Sequence, residues 1–282
     1  MSEVYLTSGC KVNLFLRIHE RLASGYHLLT SVFIPLDYPQ DRIKITLLEK
    51  SEIHLKTNLS SLATNNILEK VFYLFKQETG FKYGCSIFLD KRVPLGAGLG
   101  GGSANAAVFL KYLNSIANFP LSQDRLLNLA SRIGADVPFF LLNQSAWVEG
   151  IGDKICPLEL NLKGWYGLLV YPKLHISTAW AYQKWDELKK KQKTYLTFST
   201  WTNKRLFSHG TFVLLNDFER VVFKAYPCLR ELKEKILALG ASGGCLSGSG
   251  SAMFFLFRNR ENQKKALNFV EKESLIFYNY LF

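Results

Sequence analysis

Between Pro94 and Ala107 the chain reads Pro-Leu-Gly-Ala-Gly-Leu-Gly-Gly-Gly-Ser-Ala-Asn-Ala-Ala. A strand-like run stops at the proline, glycines fill five of the seven positions 96–102, and helix-forming residues follow. Glycine lacks the Cβ that would hold a ligand oxygen off the main chain, and a helix start presents unpaired N–H groups at the positive end of its dipole. The chemistry such a segment serves is phosphate binding. Glycines at this density lose too much chain entropy on folding for a plain turn. A second cluster, Gly243-Gly-Cys-Leu-Ser-Gly-Ser-Gly250, precedes an apolar run from Ala252 to Phe257. It reads either as a hairpin turn or, together with the first loop, as the second wall of one anion site.

Several phosphate-binding classes fail on the surrounding residues. Gly96-x-Gly98-x-x-Gly101 matches the dinucleotide fingerprint, but Ile116-Ala-Asn-Phe-Pro-Leu-Ser122 offers neither the second strand nor the acid that a nicotinamide cofactor needs. No Lys-Ser or Lys-Thr closes the loop as in Walker A, and the His-Arg-Asp and Asp-Phe-Gly elements of protein kinases are missing. His19, His27, His54, His175 and His209 lack the i, i+4 spacing of two ligands on one helix face, so no protein-built metal site is expected. Cysteines 10, 85, 156, 228 and 245 are odd in number and form no Cys-x-x-Cys pair, which argues against a disulfide framework and for a reducing compartment.

The elements that must position the loops follow from periodicity. Val12, Leu14, Leu16 and Ile18 alternate, as do Ile43, Ile45 and Leu47, then Cys85, Ile87 and Leu89, predicting half-buried strands. Asn66 to Thr79 places Ile67, Val71, Leu74 and Phe75 on one helical face and stops at Gly80. Further helices are expected from Ser103 to about Asn118 and from an N-cap at Ser122 to Gly134, delivering the chain to Asp136. After about residue 155 the pattern restarts with a strand Tyr166–Tyr171, a helix after Ser177, a helix Pro227–Leu239, a strand Ala252–Phe257, a helix near Arg260–Glu273 and a strand Leu275–Leu281. Strands and helices mixed without strict alternation predict an α+β fold, divided into residues 1–155 and 156–282.

With 282 residues, 48% of them hydrophobic, the chain can bury two cores. Its net charge of +12 favours anionic partners, whether nucleotides, phosphorylated metabolites, nucleic acid or a membrane surface. The lysine run 184–193, near Trp180, Tyr182 and Trp185, is spread by helical spacing and reads as a solvated face rather than an RNA site. The first residues lack the basic and apolar regions of a signal sequence, so a soluble cytoplasmic protein is expected.

Three separated segments then carry a resemblance. Lys11-Val-Asn13-Leu-Phe-Leu, Pro94-x-Gly-x-Gly-Leu-Gly-Gly-Gly-Ser103 and Ser247-Gly-Ser-Gly250 resemble, in order and spacing, the three motifs of the GHMP kinases. Gly25-Tyr26-His27 and Gly134-Ala-Asp136-Val-Pro-Phe-Phe140 resemble the branch that acts on a cytidine-diphosphate-linked polyol. The chain departs from the usual pattern at Cys10 (alanine), Ser24 (aspartate), Ala104 (serine) and Leu246 (methionine), and Ala104 leaves Ser103 as the middle motif's one hydroxyl.

The resemblance implies a two-domain α+β GHMP kinase fold with its active site in the cleft between the domains. It implies phosphorylation by ATP of the 2-hydroxyl of 4-diphosphocytidyl-2-C-methyl-D-erythritol in the non-mevalonate isoprenoid precursor pathway, with Mg²⁺ carried on the nucleotide. Asp136 would be the general base and Lys11 would stabilise the attacking oxygen. Pro94, Gly96, Gly98, Leu99, Gly100, Gly101, Gly102 and Ser103 would hold ATP, with Ser247, Gly248 and Asn66 adding contacts; Asn66 also reads simply as the start of its helix. Asn13, Tyr26 and His27 would face the cytidyl and polyol groups, and Tyr182 would offer a stacking face. The partner would be this small molecule, with no nucleic acid or membrane, and the protein a monomer or weak homodimer. The alternatives are a homoserine- or mevalonate-type kinase of the same family, a basic non-catalytic RNA-binding module, and a nicotinamide-cofactor enzyme.

Overall fold

The computed structural model describes residues 3–191 and 212–282, so Lys193 and His209 lie outside the described residues. Two compact units interleave along the chain. The first takes residues up to Lys11, Pro35–Pro94 and Gly100–Pro157; the second takes Val12–Ile34, Leu95–Leu99 and residues from Leu158 onward. The chain first passes between them inside two long strands, β1 (Glu3–Arg21) and β2 (His27–Leu48), and crosses again on either side of Leu95–Leu99 and after Pro157.

In the first unit, residues 42–48 of β2 pair antiparallel with β4 (Gly84–Asp90), and β3 (Ile53–Thr57) pairs parallel with β4 on its other side. Four helices accompany these strands: α1 (Ile67–Thr79), α2 (Gly101–Ile116), α3 (Gln123–Ile133) and the short α4 (Val137–Leu142). α1 starts on a capping box, in which the Asn66 side chain accepts from Leu68 N–H while the Glu69 carboxylate accepts from Asn66 N–H. It ends on Gly80 in the left-handed region, as the sequence predicts. Ser122 stands at the start of α3 as expected, although its hydroxyl makes no capping bond. α2 is buried almost all round through Ala104, Ala106, Ala107, Phe109, Leu110 and Leu113, its small residues allowing close packing on α1 and α4. A hairpin of β5 (Ala146–Glu149) and β6 (Lys154–Pro157) completes this unit.

In the second unit a four-stranded antiparallel sheet runs in the order β11 (Ile276–Leu281), β7 (Tyr166–Tyr171), β10 (Met253–Phe257), β9 (Gly243–Leu246). Helices α5 (Thr178–Lys191), α6 (Glu219–Ala225), α7 (Pro227–Ala238) and α8 (Arg260–Lys272) belong to the same unit. Leu168, Val170, Trp185, Val222, Ile236, Phe255 and Phe257 form its core. Phe15 and Leu16 of β1 pair in parallel with β8 (Leu215–Asn216). The lysine-bearing α5 is solvated on one face only: Gln183, Glu187 and Lys189 are exposed, whereas Ala181 and Trp185 are core residues.

The centre of β1 departs from the half-buried expectation. Residues 3–8 alternate, but every residue from Lys11 to Leu16 is buried. Both faces are covered there, so the polar side chains of Lys11 and Asn13 must find partners inside the protein. The five cysteines are free thiols, and among the described residues no helix is long and apolar enough to cross a membrane.

Candidate active site

The glycine loop is set by a buried clamp upstream of it. After β4, the Asp41 carboxylate of β2 accepts from the N–H groups of Arg92 and Val93, each at 2.7 Å, through Oδ1. Its Oδ2 lies 2.6 Å from Lys91 Nζ, which also donates to the Val93 carbonyl at 2.8 Å. Both side chains are essentially inaccessible, and burial pushes the Lys91 ammonium below the ordinary lysine range while Asp41 pulls it back. An ionised carboxylate can hold three such donors, so the chain leaves this point in one direction.

Each following glycine answers a different constraint. Gly100 caps the start of α2 at φ +67°, and a Cβ on it would lie 3.0 Å from the Phe140 ring and 3.2 Å from Lys11 Cγ. A Cβ on Gly101 would come within 2.8 Å of Val93 Cγ1 and 2.9 Å of Lys91 Nζ. Gly102 faces open space. The start of the 16-residue α2 is therefore packed on one side and bare on the other, as an anion site requires.

Lys11 and Asp136 meet in the same unit. α3 ends at Gly134, whose carbonyl accepts from Val137 N–H at 3.1 Å, and Pro138 starts α4 in its first turn. This tight turn, together with the buried Phe139 and Phe140, presents Asp136. Lys11 Nζ lies 3.9 Å from Asp136 Oδ2, with side-chain exposures of 5% and 30%. Burial lowers the Lys11 pKa and the neighbouring carboxylate opposes that shift. A dry ammonium beside a solvent-reachable carboxylate combines charge stabilisation with proton acceptance. Asn66 is 7% exposed, and its amide is engaged at the head of α1 by Leu68 N–H and the Leu62 carbonyl.

In the second unit the two glycine segments touch. A Cβ on Gly98 would fall 1.8 Å from the Ser247 carbonyl oxygen, Ser247 Oγ donates to the Gly98 carbonyl at 2.9 Å, and Ala252 N–H donates to the Ala97 carbonyl at 3.2 Å. The Ser247–Gly250 segment is also the turn between β9 and β10, as the hairpin reading of its sequence expects. Asn13 is tied into it: its Oδ1 accepts from Gly248 N–H at 2.8 Å and its Nδ2 donates to Ser31 Oγ at 2.8 Å.

Gly25, at φ +89°, makes the tight return between β1 and β2, closed by Leu22 N–H donating to the Tyr26 carbonyl at 2.7 Å. Tyr26 is left 64% exposed. His27 is nearly buried, with Nε2 2.6 Å from Asp186 Oδ1 of α5 and its ring stacked on Tyr182 at 4.8 Å and 14°. The edge of the Phe218 ring also meets Tyr182, at 4.9 Å. Arg21 reaches the second Asp186 oxygen at 3.5 Å. Asp41, Lys91 and Asp186 carry no sequence signal: Asp186 stands inside a lysine run, and Asp41 and Lys91 are fifty positions apart.

A glycine-lined helix start beside a buried lysine and an accessible aspartate defines a phosphotransferase acting on a small hydroxyl compound. Comparison with known proteins agrees. Residues 66–144 match the N-terminal domain of the GHMP kinases and residues 203–275 their C-terminal domain. The chain belongs to the GHMP kinase family. It is 41% identical over 282 residues to 4-diphosphocytidyl-2-C-methyl-D-erythritol kinase of Nitratidesulfovibrio vulgaris (strain DP4), covering 99% of this chain and 98% of that protein. A crystal structure of 4-(cytidine 5'-diphospho)-2C-methyl-D-erythritol kinase is similar with a TM-score of 0.80 and 28% identity, over 98% of both chains. Homoserine kinase from Cytophaga hutchinsonii shares the fold, with a TM-score of 0.71 at 18% identity over 99% of this chain and 93% of that one.

Proposed function

We propose that the protein transfers the γ-phosphoryl group of ATP to the 2-hydroxyl of 4-diphosphocytidyl-2-C-methyl-D-erythritol, in the non-mevalonate route to isoprenoid precursors. The observation that carries the chemistry is the Lys11–Asp136 pair at 3.9 Å, with the Lys11 stem against Gly100 at the head of α2. The choice of acceptor is supported by the full-length relative at 41% identity and by the Gly25-Tyr26-His27 segment.

The acceptor oxygen attacks the γ-phosphorus as its proton passes to Asp136, and the bond from that phosphorus to the β–γ bridging oxygen breaks to release ADP. An alcohol is too weak an acid to be ionised by a carboxylate beforehand, so proton transfer accompanies attack, and the Lys11 ammonium stabilises charge growing on the oxygen. Loose phosphoryl transfer leaves the protein mainly alignment and charge stabilisation to supply. The amides of Gly98–Ser103 take the β- and γ-phosphates, flanked by Pro94, Gly96, Ser247 and Gly248. Mg²⁺ carried on the nucleotide would neutralise phosphate charge, and the Ser103 hydroxyl and the Asp136 carboxylate are oxygen donors of the kind that would hold it alongside water.

The stacked His27–Tyr182 pair, oriented by Asp186, serves the cytidine end, where flat rings and fixed hydrogen-bonding groups distinguish a base. Tyr26 offers a further exposed ring. Asn13 accepts from Gly248 N–H and donates to Ser31 Oγ, so its contribution is to hold the Ser247–Gly250 turn. The same reading has the enzyme acting in the cytoplasm on this small molecule.

Gly102→Ala tests the phosphate contact without disturbing packing. The new methyl meets nothing in the protein and favours helix, so the melting temperature stays the same or rises slightly. KM for ATP rises about tenfold because the methyl takes the place of a phosphate oxygen. An unchanged KM would remove Gly102 from the nucleotide site. The acceptor is tested with purified protein, ATP and Mg²⁺ against cytidyl-diphospho-methylerythritol, homoserine and mevalonate in parallel. Selective ADP release with the first is expected; release with either of the others alone would overturn the assignment.

A further inference from the structure

Two hydrogen bonds that shape the Ser247–Gly250 turn come from a residue in none of the glycine motifs. We propose that Asn216, at the end of β8, is a positioning residue for the nucleotide: it holds the Leu246 and Gly248 carbonyls on either side of Ser247 inward and thereby directs the Ser249 N–H outward. The inference rests on the reading that this turn belongs to the ATP site.

Asn216 is 3% exposed. Its Nδ2 donates to the carbonyls of Leu246 at 2.7 Å and Gly248 at 2.8 Å, and its Oδ1 accepts from Phe218 N–H at 2.9 Å. One side-chain amide thus binds the carbonyls on both sides of Ser247. The other amide groups of the turn are committed: Ser247 N–H to the Ala252 carbonyl, Gly248 N–H to Asn13, and Gly250 N–H to the Ser247 carbonyl. Across a trans peptide the C=O and N–H point in opposite directions, so a Gly248 carbonyl fixed on Asn216 turns the Ser249 N–H to the other side. Gly248 makes this orientation accessible through its φ of +53°.

The base of the turn is held from the same stretch of chain. Glu219 accepts from Leu246 N–H at 3.0 Å and pairs with Lys233 at 2.7 Å. Ser249 Oγ is tied to Thr178 Oγ1 at 3.0 Å. With strand and hydroxyl both anchored, the orientation of the Gly248–Ser249 peptide is left to Asn216. Removing its donors leaves two inward carbonyls unsatisfied, and the peptide gains by turning over.

The test is Asn216→Asp, which keeps the side-chain shape and the bond to Phe218 N–H but sets an acceptor against two carbonyls. Asp217→Asn is the matched control. Asp217 is the buried neighbour, and it holds Ile18 N–H and Arg17, both at 2.9 Å, instead of the turn. For Asn216→Asp, KM for ATP and the calorimetric Kd for ADP rise about tenfold or more, while KM for the cytidyl acceptor changes less than about twofold. Asp217→Asn lowers the melting temperature to a similar extent with ATP KM near wild type. Asn216→Ser, which retains one donor, is measured beside it and falls between. A wild-type KM for ATP in Asn216→Asp, or an equal rise in the Asp217→Asn control, would overturn the proposal. So would failure of both Asn216 variants to fold, which makes the residue one of stability alone. A wild-type protein that binds no ADP would instead defeat the nucleotide reading, and the proposal with it.

Discussion

Asp136→Ala is expected to lower kcat at least a hundredfold, roughly 3 kcal/mol of transition-state stabilisation, while the protein stays folded. The size follows from the chemistry. An alcohol entering a phosphoryl group must lose its proton during attack, and the carboxylate 3.9 Å from Lys11 Nζ is the proposed base beside the helix start. The structural cost is smaller than for a fully buried pair, because Asp136 is 30% exposed, lies 3.9 Å from Lys11 and makes no capping bond to α4. The loss is expected on kcat rather than on KM for ATP, since on the proposed reading the phosphates lie on loop amides that the substitution leaves alone. Steady-state kinetics with a thermal melt decide the matter: a folded variant with near-normal kcat would remove Asp136 from the reaction. A raised KM for ATP at constant kcat would reassign it to binding.

Asp41→Asn is expected to have the largest effect on stability, on the order of 3–5 kcal/mol, because it leaves the buried Lys91 ammonium without its counter-charge. Asparagine keeps the acceptor oxygen for Arg92 and Val93 N–H, so the substitution isolates the charge from the hydrogen bonds. At roughly 2–4 °C per kcal/mol for a chain of this size class, the melting temperature drops by about 10 °C. Adding Lys91→Met removes the stranded cation and restores part of the loss, since replacing both members of a buried pair costs far less than replacing one. The single and double variants, melted under identical conditions, form the test. A single variant as stable as wild type, or a double variant worse than the sum of the single changes, contradicts the account. The clamp fixes where the chain enters the glycine loop, so KM for ATP should worsen in the single variant as well.

Much of the local structure is legible along the chain because local rules decide it. The helix from Ile67 is announced by Asn66 and Glu69 three residues apart and closed by Gly80; each acts on backbone groups within one turn. The all-apolar run at 253–257 could only be a covered strand, and it lies inside a sheet. Gly98, Gly100 and Gly101 show how far such legibility reaches. Their type predicts a close approach, but not that the neighbours are the Ser247 carbonyl, the Phe140 ring and the Lys91–Val93 corner.

By itself, the sequence determined the two glycine loops, the helix that follows the first, the mixed α+β character and the kinase family, since each depends on residues adjacent in the chain or on motif order. Tertiary structure alone decided that Lys11 is buried and faces Asp136, that Asp41 steers the loop through Lys91, that Asp186 orients His27, and that Asn216 braces the Ser247–Gly250 turn. The physical reason is common to all four. A contact between positions tens or hundreds of residues apart leaves no periodicity in the sequence. The burial that makes a polar pairing obligatory exists only after the strands and helices have packed.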